Sequence, residues 1–244
     1  MKKNRLPALI FLVVASSPMA GCGHLLGKPG PEAPRPDQIL DFATLYKQNC
    51  SACHGIDGKN GAAIALANPV YLAWAGGNNL RQITTNGVPN SLMPAFGKNA
   101  GGMLTDQQIE NLVQGMLTQW GQPEILNDQH APSYAPATNG DAALGKQVFG
   151  VFCSTCHGAG GNGASVAGAA SVGSITDPSY LALVSAQDLR SIAVVGIPDD
   201  QMPDWRRDVP GRAMTDKEVT DVVAWLISQR IQSPGHPFAQ SHSE

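Results

Sequence analysis

Charge is scarce in this 244-residue chain: Asp, Glu, Lys and Arg make up 14% of it, and the formal net charge is −3. No clustered basic patch is present, which excludes a nucleic-acid-binding surface. An apolar run of the roughly 20 residues that a permanent membrane-spanning helix needs is also missing. Spare cysteines are lacking too. Of five, four fall into two short motifs and the fifth, Cys22, has a reading of its own, so no disulfide is left to propose. Glycine (27) and proline (18) are plentiful, and 43% hydrophobic residues are enough for small cores. The length suits one or two domains.

The four grouped cysteines stand in Cys50-Ser51-Ala52-Cys53-His54 and Cys153-Ser154-Thr155-Cys156-His157. Both are C-x-x-C-H, the signature for covalent attachment of c-type haem. Two thiols two residues apart fit one turn of backbone and can form thioethers with the two vinyl groups of a haem. The following histidine then lies under the porphyrin and offers its imidazole to the iron. A zinc site would want paired knuckles close together, whereas these copies lie 103 positions apart and each carries its histidine. The cofactor reading is therefore two covalently bound haem c groups, held by Cys50, Cys53, Cys153 and Cys156, with His54 and His157 as metal ligands.

In chain order, residues 1–21 read as an export signal, with Lys2, Lys3 and Arg5 ahead of a short apolar core from Leu6 to Val14. Loss of those three bases would take the charge to about −6. Residues 22–36 are a proline-rich tether, whose composition favours extended chain over a packed core. Residues 37–120 form a first haem unit, with Asp37 as the expected cap of a helix carrying Leu40, Phe42, Leu45 and Tyr46. Tyr71 to Ala75 is an apolar segment, Leu80 to Thr85 a short helix, and Thr105-Asp106 starts a closing helix. Residues 121–138 are a second linker, and 139–232 repeat the programme before a polar tail, 233–244. Asp177-Pro178-Ser179-Tyr180-Leu181-Ala182 answers Asn68-Pro69-Val70-Tyr71-Leu72-Ala73 at an offset of 109, and Met202-Pro203 answers Met93-Pro94 at the same offset. An internal repeat at near-constant spacing indicates two copies of one domain.

This layout resembles the class I cytochrome c family in a tandem, two-domain form. The resemblance implies an all-α fold, two small helical domains each wrapped around one haem, with first and last helices crossing. It implies electron transfer, not catalysis, and a methionine sulfur as sixth ligand on each iron. Met93 and Met202 best fit that role: each precedes a proline, which fixes the backbone of a loop presenting a side chain, and both keep the repeat offset. Met116 sits on the apolar face of a helix, and Met103 and Met214 fall out of register. Met19-Ala20-Gly21-Cys22 resembles a bacterial lipoprotein cleavage box, which implies lipidation at Cys22, a lipid anchor and a place on the periplasmic side of a membrane.

Arg81 and Arg190 recur at the repeat offset, and either meet haem propionates or are helix-surface charges. Trp74 and Trp205 shield haem edges, or pack in a core or interface. The family commonly sets a glycine on the first helix against an aromatic on the last. The second half fits, with Gly145 and Trp225, but the first half places Phe42 and Gly115 at the matching positions. Large and small are expected to have exchanged sides there, so that Phe42 fills the space over Gly115. Asp199, Asp200, Asp204, Arg206 and Arg207 crowd Met202, whereas Lys98 is the nearest charge to Met93 in sequence. Two distinct haem potentials are expected from that difference. Function then reads as a membrane-tethered electron carrier between redox protein partners. A fixed haem subunit of a larger membrane oxidoreductase complex is the alternative, and a dihaem peroxidase ranks last.

Overall fold

A computed structural model describes residues 32–89, 91–127, 129–164, 172–207 and 209–231. The export signal, Cys22, most of the tether and the polar tail lie outside the described residues. Within them the protein is helical, with isolated backbone bridges and no β-strand. No described helix is long and apolar enough to cross a membrane.

Each half begins with a helix that runs into its C-x-x-C-H turn. Helix α1 (Phe42–Asn49) leads into α2 (Ser51–His54), and α5 (Ala142–Phe152) leads into α6 (Ser154–His157). Asp41, rather than Asp37, caps α1: its Oδ2 accepts from the Thr44 N–H at 2.8 Å, and Leu40 is left outside the helix, 44% exposed. Asp37 belongs to a short 3₁₀ turn, Pro36–Gln38. Asp141 caps α5 in the same way, accepting from Ala143 and Leu144.

The expected apolar segment and short helix of the first half are one element, α3 (Pro69–Asn86), kinked at Gly76, where φ is +68°. The second half breaks at the same place into α7 (Pro178–Leu183) and α8 (Ala186–Val195). Closing helices α4 (Asp106–Trp120) and α9 (Asp216–Ser228) both start in full capping boxes, Thr105 with Gln108 and Thr215 with Glu218. Each closes off orphan N–H groups at its own helix start. In the first half α4 packs on α1 and α3, and in the second half α9 packs on α5 and α8.

The exchange across the helix crossing is present. A Cβ on Gly115 would lie 2.1 Å from Phe42 Cδ2. A Cβ on Gly145 would lie 1.9 Å from the Asp221 carbonyl oxygen and 2.9 Å from Trp225 Cβ. The aromatics then cluster around each crossing, Phe149 with Trp225 in one and Phe42, Tyr46 and Trp120 in the other.

From Pro36 on, the two halves form one unit. The stretch between them packs against both instead of spanning open solvent. Residues Pro123–Leu126 form a 3₁₀ turn against α3. Pro132 is buried, and its carbonyl accepts from Trp74 Nε1 at 2.6 Å. Arg206, from the second half, donates to the Ile125 carbonyl at 2.9 Å.

Candidate haem sites

Helix α1 delivers the first motif. Cys50 closes it with an N–H bond to the Tyr46 carbonyl at 2.8 Å, and the turn continues with His54 N–H to Cys50 O at 3.0 Å. One turn of backbone thus carries both thiols and the imidazole. Tyr46 also donates its hydroxyl to the Gly55 carbonyl at 2.8 Å, fixing the exit of that turn. The second motif is built the same way, with Cys153 N–H to Phe149 O at 2.9 Å and His157 N–H to Cys153 O at 3.0 Å. Among the described residues no disulfide joins the cysteines. Nor do three or more His, Cys, Asp or Glu side chains gather as a metal cluster, so the two motifs do not meet in one zinc site.

His54 is 7% exposed, and its Nδ1 lies 2.8 Å from the Ile64 carbonyl. A carbonyl only accepts, so Nδ1 carries the proton and Nε2 is left with its lone pair. That is how a metal-binding imidazole is oriented by a neighbour that is not itself a ligand. Burial lowers the His54 pKa, against the Ile64 bond and the distant Asp188 charge, which raise it. His157 is also lowered by burial, and its Nδ1 is buried with no hydrogen-bond partner among the described residues. The position matching Ile64 at the motif offset, 167, is outside those residues. Burial pushes the Cys50 thiol up to about 12, with the neighbouring Cys53 adding to the shift. A thiol held up in this way is a poor thiolate. Neutral imidazole beside paired thiols on one turn fits covalent haem.

Met93 and Met202 are both half-buried, each on the loop after α3 or α8. Each loop starts at a glycine in the left-handed region, Gly87 at φ +71° and Gly196 at φ +68°. There a Cβ would press on the loop's own carbonyls, Met93 O at 2.7 Å and Met202 O at 2.5 Å. Val88 N–H bonds to Met93 O at 3.1 Å, and Ile197 and Met202 exchange two backbone bonds of 3.0 and 3.1 Å. Met202 borders a hollow of 280 Å³ with Val195, Pro198 and Pro203 among its walls. Of the other described methionines, Met116 and Met214 are core residues, 4% and 3% exposed, and Met103 is 82% exposed. Met214 corresponds to Leu104, not Met103: its N–H bonds to Trp205 O as that of Leu104 bonds to Phe96 O, both at 2.8 Å.

Arg81 forms an exposed pair with Glu110 at 2.6 Å. Arg190 is 2% exposed and binds the Ser133 carbonyl through Nε and Nη2 at 2.9 and 2.8 Å, Thr220 at 3.0 Å, and Asp216. The contacts of both arginines are thus within the protein, and Arg190 is neither a surface charge nor a free propionate partner. Trp205 is 1% exposed, and Trp74 packs on Tyr134 with ring centroids 4.9 Å apart, so both serve cores or the seam between halves. Beside Met202, Asp204 pairs with Arg206 at 2.6 Å. Sequence reasoning missed the Ile64 carbonyl, because any residue supplies a carbonyl and no side-chain type marks it.

The family described as cytochrome c oxidase, cbb3-type, subunit III matches residues 37–114 and 140–226. The chain belongs to this family. It is a tandem c-type cytochrome with two covalently bound haem c groups and an all-α fold. A cbb3-type cytochrome c oxidase subunit CcoP of Azospirillum sp. (strain B510) is 31% identical over 159 residues, which cover 58% of this chain and 48% of the relative. A subunit FixP of Rhizobium etli is 30% identical over 129 residues, covering 49% of this chain and 39% of the relative. The chain thus spans about half the length of the first of these relatives, and less of the other. Among solved structures, the Kuenenia stuttgartiensis reducing HAO-like protein complex Kustc0457/Kustc0458 is 18% identical with a TM-score of 0.45, covering 82% of this chain and all of that one.

Proposed function

We propose that this cytochrome passes single electrons between redox partners at the periplasmic face of a membrane, through two His/Met-ligated haems, and is not itself a catalyst. Cys50 and Cys53, and Cys153 and Cys156, hold the porphyrins as thioethers. His54 and His157 bind iron through Nε2, and Met93 and Met202 complete the coordination. The observation that carries the reading is the Nδ1 contact of His54 with the Ile64 carbonyl, which leaves Nε2 for the metal at the exit of a C-x-x-C turn. A thioether ligand raises the potential, and a six-coordinate iron has no open face for peroxide. Lipidation at Cys22 would keep the protein beside membrane partners.

A second reading is favoured by the family match over both halves: a fixed haem subunit of a membrane oxidoreductase, an oxidase of the cbb3 type in particular. Co-purification in mild detergent separates the two, since a fixed subunit stays with its complex and a free carrier elutes alone.

The ligand set is tested by the weak charge-transfer band of ferric haem that marks sulfur coordination. Met93→Ala and Met202→Ala should each remove half of it. Ready cyanide binding by the unmodified ferric protein would sink the closed-coordination reading. The Asp204–Arg206 pair beside Met202, with no such pair at Met93 among the described residues, supports two separate midpoints in a redox titration. A fit to two equal haems would contradict that.

A further inference from the structure

Asn68 makes contacts that its own half does not require. It ends the loop that follows His54 and caps α3, its Oδ1 accepting from Val70 N–H at 2.9 Å and Tyr71 N–H at 3.4 Å. Its amide nitrogen reaches the other half, donating to the carbonyls of Val195 at 3.3 Å and Gly196 at 3.5 Å. The side chain is buried, at 6% exposure. Those two carbonyls end α8 and open the Met202 loop. Gly196 is closed in by the carbonyls of Met202 and Pro203, and Ile197 is tied to Met202 by two backbone bonds.

The repeat shows what is special here. Asp177 occupies the equivalent position and caps α7 through Ser179 and Tyr180 N–H at 2.8 and 3.1 Å. A carboxylate caps as well as an amide does, but it has no hydrogen to donate. The cap alone therefore does not call for asparagine. The two carbonyls across the seam do.

We propose that Asn68, a residue of the first haem unit, is a positioning residue for the methionine of the second. By tying the His54 loop to the start of the Met202 loop, it makes sulfur ligation at the second iron depend on the first half being folded and docked. This rests on the reading of Met202 as a ligand.

Asn68→Asp tests it, because it keeps the cap and the size while turning the donor into an acceptor facing two carbonyls. The protein is prepared with Met93→Ala, so that the sulfur–iron band reports Met202 alone, and separately with Met202→Ala, so that it reports Met93 alone. Guanidinium titrations follow loss of the band in each. The expected result is a downward shift of the midpoint for the Met202 band and no shift for the Met93 band. Equal shifts in both would make Asn68 a general stabiliser of the fold and overturn the proposal, as would no shift in either. A Met93→Ala parent with no band at all overturns the ligand reading and this inference with it. A parent whose band Asn68→Asp does not move overturns this inference alone. If Asn68→Asp does not take up haem, Asn68→Ser is read by the same criteria, since serine also caps but is too short to span the seam.

Discussion

The two halves cross their first and last helices at the same place, yet they assign the glycine to opposite partners. In the first half the closing helix yields, with Gly115 under the Phe42 ring; in the second the opening helix yields, with Gly145 against the Asp221 carbonyl and Trp225. The crossing distance is set by one missing side chain, and which helix omits it is free to change. The two solutions differ in what would give way. Gly115 faces a half-buried side chain whose ring can turn, although its Cβ also stands 2.8 Å away, whereas Gly145 faces backbone first. Gly145→Leu should therefore have the largest effect, more than ~3 kcal/mol in guanidinium unfolding, at or beyond the upper end for overpacking. Gly150→Leu, on the same helix with open space around its Cβ position, should change stability by no more than ~1 kcal/mol. In the first half Phe42→Ala should cost ~3 kcal/mol, and Phe42→Ala with Gly115→Leu should recover part of that. Strict additivity of the two single changes would break the comparison, because it would mean that the two sites do not share one space.

A second contrast lies in a pair the repeat makes equivalent. Arg81 and Arg190 occupy the same position and both face a carboxylate of the closing helix, but Arg81 is 40% exposed and Arg190 2%. Removing one partner of a buried, hydrogen-bonded charge strands the other polar groups, whereas an exposed pair contributes little. Arg190→Met should cost ~2–3 kcal/mol and Arg81→Met no more than ~0.5, both read by thermal or guanidinium unfolding of the haem-loaded protein. Similar costs would mean that the seam around Ser133 does not bury Arg190 in solution.

What was legible in the sequence and what was not divides along the same seam. The haem turns, the start of the closing helix at Thr105-Asp106, and the Phe42–Gly115 exchange were all readable, because each depends on residues a fixed distance apart within a half. Asp41 displaced Asp37 as the cap of α1 because Asp41 sits where its carboxylate reaches Thr44; two aspartates so close together compete, and spacing alone does not choose. The seam was not readable. Residues 121–138 look like a linker, since Pro123, Pro132 and Pro136 disfavour long helices and strands, but they do not forbid burial. Pro132 is buried and Ser133 is the partner of Arg190. No periodicity announces backbone carbonyls recruited from 57 residues away in sequence.

The carboxylates of these two pairs sharpen the comparison with the smallest effect. At Asp216 burial works against ionisation, but hydrogen bonds from the Ser133 hydroxyl and N–H, at 2.7 and 2.9 Å, and the charge of Arg190 outweigh it, and the pKa is lowered. A group held below its unfolded pKa, ~3.9 for aspartate, stabilises the fold fully above that value. The contribution is lost as pH falls through the lower, folded value. Asp216→Asn should thus be less stable than the parent by ~1 kcal/mol near neutral pH, a figure reduced for the carboxylate's partial exposure. The gap should close in acid below the folded pKa. Glu110 is also lowered, by hydrogen bonds from Arg81 and Gln114, but its partner Arg81 is exposed where Arg190 is buried. Solvent and salt screen it, and Glu110→Gln should follow the parent at every pH. If both substitutions give the same pH profile, the burial of Arg190 has no electrostatic consequence. If only Asp216→Asn converges with the parent in acid, the linker has turned the arginine that the repeat supplies to both halves into a clasp that responds to pH on one side of the molecule only.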